Sequence, residues 1–176
     1  MSRRQIRRGT FESNSSSMHS VSISNHTWNK NDLTGLSIGI TDDKIYMTFG
    51  EFDWGYEEYT DAYHKLQYLL TMVAETECDN CSCVEDYYET EGFQTIEAAV
   101  KSYVDCNGIE VISKCRLGKY EWDGCTKTYF DHDGHIDHQS TDGYHSLNDF
   151  LNDAGCSAEQ FIFDPEVVLI IDNDNH

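Results

Sequence analysis

The feature that most constrains the fold is an uninterrupted apolar run near the end of the chain, Val167-Val168-Leu169-Ile170-Ile171. All of these residues except Leu169 are β-branched, and such a run is typical of a strand that is buried on both faces. We therefore predict a central strand over residues 166–171, with Ile170 buried. The polar tail over residues 172–176 is then expected at the rim of the sheet, where a strand end holds side chains rigidly. A solvated tail is the alternative.

Shorter segments in which apolar residues recur at every second position predict further strands. Residues 17–24 and 36–49 are expected in the same sheet as the central strand. Thr41-Asp42-Asp43 divides the second segment and favours a hairpin turn. Later strands are predicted, with a meander as the simplest topology, at residues 109–113, 116–122 and 126–130.

Apolar residues spaced by three and four predict a main helix over residues 57–74. A second helix is predicted over residues 95–104 with Thr95 as its N-cap, and a third begins after Ser146 and stops at Gly155. Ser157 with Gln160 predicts one further turn. The chain is therefore expected to form a single α+β domain over residues 1–176, with two to three helices on one face of an antiparallel or mixed sheet.

The most unusual polar segment is Arg7-Arg8-Gly9-Thr10-Phe11-Glu12-Ser13-Asn14-Ser15-Ser16-Ser17-Met18-His19-Ser20. Small polar residues compete with helix and sheet for backbone hydrogen bonds, so the serine run is predicted to be a loop that leads into a strand. Such a loop offers donors to a phosphate or carboxylate, and Glu12 or His19 could act as acid or base. The alternative is a serine-rich connection without chemistry. The candidate ligand-binding residues here are Arg8, Asn14, Ser15, Ser16 and Ser17.

Charge is the outlying property of the composition. The chain has 12 Lys and Arg against 32 Asp and Glu, a net charge of −20. Four of the basic residues (Arg3, Arg4, Arg7 and Arg8) precede position 9, so residues 9–176 carry eight basic and 32 acidic residues, a net charge of −24. The negative electrostatic field of these residues disfavours direct nucleic-acid binding, except through the basic tail, residues 3–8. It favours binding to a basic protein surface. The commoner alternative is an acidic protein that is merely soluble.

No signal peptide and no apolar stretch of transmembrane length are expected, because the basic start is followed by polar serines. The sequence therefore predicts a cytoplasmic protein with no membrane partner. In that compartment the seven cysteines are expected as reduced thiols or metal ligands and not as a disulfide framework.

Two segments contain residues that could bind a metal. Cys78, Cys81 and Cys83 include the spacing of half a zinc knuckle, but no second C-x-x-C follows. Three histidines and three aspartates lie within residues 131–138, from which His135 and His138 could hold a divalent metal; the glutamate of a calcium loop is absent. For the cysteine segment the alternative is a thiol-rich acidic loop. For the histidine segment it is a turn followed by a polar strand over residues 135–139.

Several of these motifs together resemble a known family. They are Arg8-Gly9-x-Phe11-Glu12-x-Asn14-Ser15-Ser16-Ser17-x-His19-Ser20, residues 52–59 with Lys65-Leu66-x-Tyr68-Leu69, Ile136-Asp137-His138-Gln139-Ser140, and Ile170-Ile171-Asp172-Asn173-Asp174-Asn175. Along nearly the whole chain they resemble small proteins from phages and mobile elements of Gram-positive bacteria. The resemblance implies a genetic setting and not a reaction. Ser13 stands where the resemblance leads us to expect threonine, and both residues carry a hydroxyl.

Two functions are compatible with the sequence. The first is a phage-type inhibitor whose acidic surface occupies the nucleic-acid groove of a host defence nuclease, such as a CRISPR effector. The second is a small enzyme for a phosphorylated or nucleotide ligand, which would be bound by the serine loop with Asp172 and Asp174, while Glu12, His19 or His138 moves a proton. Charge favours the inhibitor, and the N-terminal motif favours the enzyme.

Overall fold

The computed structural model describes residues 3–6, 18–24, 38–52, 55–122, 124–137, 141 and 143–172. The strands of this part of the chain are β1 (Arg3–Ile6), β2 (Met18–Ser24), β3 (Ile40–Thr41), β4 (Lys44–Met47), β5 (Glu51–Phe52), β6 (Tyr56–Tyr59), β7 (Gly108–Val111), β8 (Cys115–Trp122), β9 (Cys125–His132), β10 (His135–Ile136) and β11 (Val167–Asp172). The helices are α1 (Ala62–Glu77), α2 (Val84–Tyr88), α3 (Glu91–Lys101), α4 (Leu147–Ala154) and α5 (Ala158–Phe163).

The predicted central strand is confirmed, because β11 lies between two neighbours in a four-stranded sheet of order β1-β2-β11-β6. All three pairings in this sheet are antiparallel. Leu169 and Ile171 face the core with Val21 of β2. The prediction that Ile170 is buried is wrong. It is only half-buried, and Glu58, its neighbour in the same row on β6, is exposed.

The prediction that residues 36–49 join this sheet is also wrong. The described strands of that segment, β3 and β4, form a separate sheet with β7. The hairpin turn between them is confirmed, and both Asp42 (φ 50°) and Asp43 (φ 58°) are left-handed there, as a tight two-residue hairpin turn requires. A meander is not observed. Strand β7 pairs in parallel with β4, β10 pairs in parallel with β5, and β8 and β9 pair with each other.

The helices confirm several predicted caps and correct two helix starts. Ser146 and Ser157 cap α4 and α5, and Gly155 ends α4 in the left-handed conformation (φ 71°). The main helix, however, begins after its N-cap Asp61, since residues 56–59 form β6. The second predicted helix, α3, is capped by Thr90 and not by Thr95. Five helices are described, more than the two or three expected, because α2 was not predicted and the further turn predicted after Ser157 is a short helix of its own, α5.

Helix α1 is the centre of the core and is covered on nearly all sides. It contacts α3, α4, α5 and β10, so its apolar residues do not form one narrow stripe. The apolar side chains of α1 that are fully buried are Leu66, Tyr68, Leu69, Leu70, Met72 and Val73. Except for Val168, the buried apolar side chains of the described residues form one cluster. The mixture of described helices and strands confirms the predicted α+β fold class. None of the described helices combines the length and the hydropathy needed to cross a membrane.

Lys65 is a charged residue inside this core and connects α1 to the beginning of the central strand. Its side chain is fully buried, and Nζ donates hydrogen bonds to the carbonyl oxygens of Asp164 (2.7 Å) and Val167 (3.1 Å). Burial lowers the pKa of Lys65 to about 8, although the nearby carboxylate of Asp164 opposes this shift. The amine therefore fixes where β11 starts.

Replacing residues of β11 by alanine should reveal the two unequal faces of the sheet. We expect Leu169→Ala to lower the free energy of unfolding by about 2–5 kcal/mol, as is usual for a fully buried leucine. Ile170→Ala should cost clearly less, because part of its side chain already contacts solvent. Urea denaturation of both variants measures this difference, and equal losses would contradict the different burial of the two side chains.

The stability of the protein should depend on the protonation of Lys65. Below pH 8 the amine is charged in both states, whereas between about 8 and the ordinary pKa of 10.5 only the unfolded chain keeps the proton. The free energy of unfolding should therefore rise with pH in this window, by on the order of 3 kcal/mol at 1.36 kcal/mol per pKa unit. Denaturation of the parent and of Lys65→Met, both carrying Cys156→Ala to remove a neighbouring thiol, isolates this contribution. A constant difference between the two from pH 7 to pH 10.5 would contradict it.

Candidate functional site at the end of the central sheet

Three segments that are distant in sequence meet at one end of the four-stranded sheet. Asp172, the last residue of β11, is opposite Met18 at the start of β2 and opposite Tyr56 at the start of β6. In the preceding row, Ile171 is opposite His19 on one side and Glu57 on the other. Directly opposed residues of antiparallel strands have Cα atoms about 4.5–5.5 Å apart. The end of the N-terminal motif and the end of the central strand therefore lie side by side.

The side chains on the β6 side of this rim are acidic and aromatic. The Tyr56 hydroxyl donates a hydrogen bond to Glu58, which lies two residues further along the same face of the strand. This hydrogen bond is the main cause that raises the pKa of Tyr56, followed by partial desolvation and by the negative charges of Glu58 and Asp172. The rim therefore stabilises a protonated phenol beside two carboxylates.

A second network continues from β6 to the first turn of α1. The hydroxyl of Tyr59 donates to Glu57, and its ring stacks on the imidazole of His64 with centroids 4.8 Å apart. Nδ1 of His64 lies 2.8 Å from Oδ2 of Asp61, the residue that caps α1. Burial alone would raise the pKa of Asp61, but the hydrogen bonds and charge of His64 outweigh it and lower that pKa. These contacts hold the edge strand against α1.

Most of the residues predicted for an enzyme site lie outside the described residues. They are Arg8, Glu12, Asn14, Ser15, Ser16, Ser17, His138 and Asp174. Of the others, His19 is placed by its backbone at the position opposite Ile171, and the half-buried Asp172 lies one row further along. The backbones of these two predicted residues thus lie in adjacent rows of the sheet, whose positions belong to opposite faces. Ser17 immediately precedes Met18, which is opposite Asp172.

The segment before His138 is connected to the same side of the fold. The backbone N–H of Asp137 donates to the carbonyl oxygen of Phe52 (3.4 Å), and the ring of Phe52 packs edge-on against Tyr59 of β6. Nδ1 of His135 lies 3.0 Å from Oε1 of Glu75, which also accepts the backbone N–H of Ile136 at 2.8 Å. These contacts fix residues 135–137 beside α1 and near β6.

The predicted metal ligands do not come together among the described residues. Within that part of the chain, no group of three histidine, cysteine or carboxylate side chains is arranged to hold a metal ion. The expectation that all thiols are reduced is wrong for Cys78 and Cys81, which form a disulfide with their Cα atoms 4.8 Å apart. Zinc binds thiolates, so a zinc site with Cys83 stays a prediction for the reduced protein. A metal on His135 and His138 also stays a prediction, because position 138 is not described.

A cavity of about 330 Å³ lies on another part of the molecule. Two free thiols line it, and the thiol of Cys83 lowers the pKa of Glu85 through a hydrogen bond. Burial, with a smaller contribution from Asp133, raises the pKa of Cys115 to about 11, so this thiol stays protonated at neutral pH and is a poor nucleophile. The lining residues are Ser82, Cys83, Val84, Glu85, Val111, Ser113, Cys115 and Phe130. Cys115 therefore gives the cavity no activated nucleophile.

Sequence reasoning missed the contribution of β6 to the rim. Tyr56-Glu57-Glu58-Tyr59 has no apolar residue at every second position, and its tyrosines also fit the helical spacing of the residues that follow. The one available signal is Gly55, which adopts a positive φ of 103° just before the strand. A glycine at that place indicates a change of chain direction and not the interior of a helix.

The proximity of Glu58 and Asp172 to Tyr56 can be tested by titration. Since the hydrogen bond to Glu58 is the largest cause of the raised pKa, Glu58→Gln should lower the pKa of Tyr56 more than Asp172→Asn does, and both should lower it. NMR of ¹³C-labelled tyrosine, with Tyr56→Phe to assign the resonance, measures the pKa. Glu166→Gln removes a distant exposed carboxylate as the control. An unchanged pKa in Asp172→Asn would mean that this carboxylate does not face Tyr56.

Comparison with known proteins identifies no relative of this chain. No protein-family model matches the sequence, no curated protein matches it, and no solved structure matches the fold. The resemblance to phage and mobile-element proteins, which was drawn from the motifs, accordingly stays a prediction. The function must therefore be argued from the charges and contacts of the chain itself.

Proposed function

We propose that the protein is an inhibitor that binds the basic nucleic-acid groove of another protein, such as a host defence nuclease of the CRISPR effector type. The observation that carries this proposal is the distribution of exposed carboxylates over the described surface. They occur in turns, edge strands and helix ends alike, at Asp42, Asp43, Glu51, Glu57, Glu58, Asp79, Glu85, Glu89, Glu91, Asp105, Glu121, Asp133, Asp149 and Glu166.

Several lysines that could offset this charge are committed to contacts within the fold. Lys65 is buried, and the ammonium groups of Lys44 and Lys101 lie 2.7 and 2.8 Å from carboxylate oxygens of Glu110 and Glu97. Lys114 and Lys119 are exposed. A surface of this kind repels nucleic acid and attracts the protein groove that binds it. The proposal also includes action in the cytoplasm of the host cell, which the phage-like motifs suggest.

A long acidic segment follows α1 and includes α2 and most of α3. From Asp79 to Val100 the sequence contains six carboxylates and no lysine or arginine. Some of these carboxylates stabilise the segment itself. The carboxylate of Asp86 accepts hydrogen bonds from the backbone and hydroxyl of Ser82, which lower its pKa, and Glu91 accepts one from Asn148. The segment is thus both ordered and negative, as an electrostatic mimic of a phosphate backbone must be.

One observation, the pairing of β2 with β11 at the end of the four-stranded sheet, favours a second function. His19 and Met18 lie beside Ile171 and Asp172, so the serine loop with Arg8 and the tail with Asp174 could share one ligand. In this alternative a phosphorylated or nucleotide ligand is bound by hydroxyls and arginine, and Glu12, His19 or His138 moves a proton. Mimicry of nucleic acid needs carboxylates but no serine-histidine motif. The presence of that motif therefore supports the enzyme alternative.

The inhibitor proposal predicts electrostatically driven association. With a panel of guide-loaded CRISPR effector nucleases as probes, we expect the protein to block target-DNA cleavage by at least one of them. Raising salt from about 50 to about 200 mM should slow association about tenfold or more and change dissociation less. Neutralising the acidic segment with Asp79→Asn, Glu85→Gln and Glu89→Gln should slow association more than neutralising three scattered positions, Asp105→Asn, Glu121→Gln and Glu166→Gln.

The outcomes separate the two functions. Association that is insensitive to salt, or equal effects of the clustered and scattered variants, would contradict recognition of a basic groove. Inhibition of none of the nucleases would contradict this choice of target. If native mass spectrometry of the purified protein then detected a retained phosphorylated small molecule, the enzyme alternative would be favoured.

A further inference from the structure

The two outer strands of the four-stranded sheet carry opposite charges. Within the described residues, β1 forms one edge and β6 the other. The sequence of β1 is Arg3-Arg4-Gln5-Ile6, whereas that of β6 is Tyr56-Glu57-Glu58-Tyr59. An edge strand presents a row of backbone N–H and C=O groups with which another strand can pair. One copy of the chain therefore contains both a basic strand and an acidic strand, at opposite sides of the same sheet.

From this arrangement we infer that the protein associates with itself head to tail, with β1 of one copy extending the sheet of the next copy at β6. The inference does not depend on the proposed function. It requires that strand direction, side-chain face, backbone hydrogen bonding and charge are all compatible with one alignment of the two strands. The observed register is compatible with each of these requirements.

Strand direction is compatible with a simple side-by-side repeat. The three pairings β1–β2, β2–β11 and β11–β6 are antiparallel, so β1 and β6 run in opposite directions within one copy. A second copy in the same orientation, placed beside β6, therefore presents β1 antiparallel to it. The result is a continuous antiparallel sheet across the two copies.

The register also places the charged positions on matching faces. Arg3 is opposite Ser24, and Ser20 on the same strand is opposite Ile170, which is opposite Glu58. Because opposed residues share a face and the face alternates along a strand, Arg3 and Glu58 belong to one face. By the same reasoning Arg4 and Glu57 belong to the other. An alignment of Arg3 with Glu58 therefore aligns Arg4 with Glu57 and Gln5 with Tyr56.

Backbone hydrogen bonding is compatible with this alignment too. Along antiparallel strands, opposed pairs alternate between hydrogen-bonded and non-hydrogen-bonded, and they alternate again from one strand to the next. Followed through the observed register, the pairs Arg3–Ser24 and Ile170–Glu58 are of the same type. The backbone N–H and C=O groups of Arg3 and of Glu58 therefore have the same orientation, both pointing into the sheet or both pointing away from it. The new pair Arg3–Glu58 then continues the alternation. Shifting the alignment by two residues keeps this pattern but separates both arginines from the glutamates.

The acidic edge is accessible for such pairing. Tyr56, Glu57 and Glu58 are all exposed, and 56% of the Tyr56 surface contacts solvent. The two glutamates accept hydrogen bonds from the hydroxyls of Tyr56 and Tyr59. A carboxylate can accept more than one hydrogen bond, so these contacts orient the acidic groups without using up their capacity. They pre-form the row that would meet the arginine positions.

The association is expected to be weak, for two reasons. Only three register pairs form, far fewer than in a stable protein interface. In addition, each copy has a net charge of −20, so the bodies repel one another. At about 0.15 M salt, where the Debye length is about 8 Å, this long-range repulsion is screened more than charge pairs in direct contact. Moderate salt is therefore the appropriate condition for the measurement.

Sedimentation velocity from about 10 µM to about 1 mM, a range suited to weak complexes, measures the association. We expect the mean sedimentation coefficient of the full-length protein to rise with concentration. Arg3→Glu with Arg4→Glu should weaken self-association about tenfold or more, and so should Glu57→Arg with Glu58→Arg. An equimolar mixture of these two variants should restore it, because the Glu edge of one variant then meets the Arg edge of the other. Glu89→Arg with Glu121→Arg makes the same charge change at exposed positions away from both edges and is the control.

Two results would overturn the inference. The first is that mixing the two variants fails to restore association although each is folded by circular dichroism. The second is that Glu57→Gln with Glu58→Gln strengthens association, since the glutamates would then protect the edge from pairing. NMR of the unmodified protein provides a readout without variants. Amide shifts at positions 3–5 and 56–58 should change with concentration, while those of α4 should not, and uniform or absent changes would contradict the arrangement.

Discussion

The pairing of β11 with both β2 and β6 is the constraint on which the rest of the structure depends. It is the contact that places residues 18, 56 and 172 in one row although they are far apart in sequence. Because side chains alternate between faces, a shift of one residue would move Leu169 and Ile171 out of the core. The buried amine of Lys65 opposes such a shift by holding the carbonyl oxygens of Asp164 and Val167, just where the strand begins. A polar contact thus fixes the register of an apolar strand.

Sequence reasoning succeeded where the determining signal is local. The hairpin turn at Asp42-Asp43, the serine caps of α4 and α5 and the glycine stop of α4 each depend on a few neighbouring residues. The central strand could be recognised for a similar reason, because no other segment has so long a run of β-branched residues. The register places His19 and Asp172 in adjacent rows at one end of the sheet, whereas their membership of one ligand site stays a prediction.

It failed where the determining contact is distant in sequence. The parallel pairing of β7 with β4 joins segments more than sixty residues apart, and nothing in either segment specifies the other. The burial of Lys65 depends on carbonyl groups about a hundred residues away, which the local sequence around Lys65 does not indicate. The start of α1 was placed too early because the tyrosines of β6 fit the helical period. The disulfide between Cys78 and Cys81 depends on chain geometry after α1, which residue spacing alone does not determine.

The uneven placement of charge connects the rim, the surface and the edges of the sheet. Arginines are concentrated in the first eight residues, and the remainder of the chain is strongly acidic. Since β1 and β6 are at opposite sides of one sheet, this asymmetry in sequence becomes an asymmetry across the fold. The acidic edge continues into the rim, where Glu58 and Asp172 raise the pKa of Tyr56. A basic surface that approached this side would meet carboxylates already oriented by tyrosine hydroxyls.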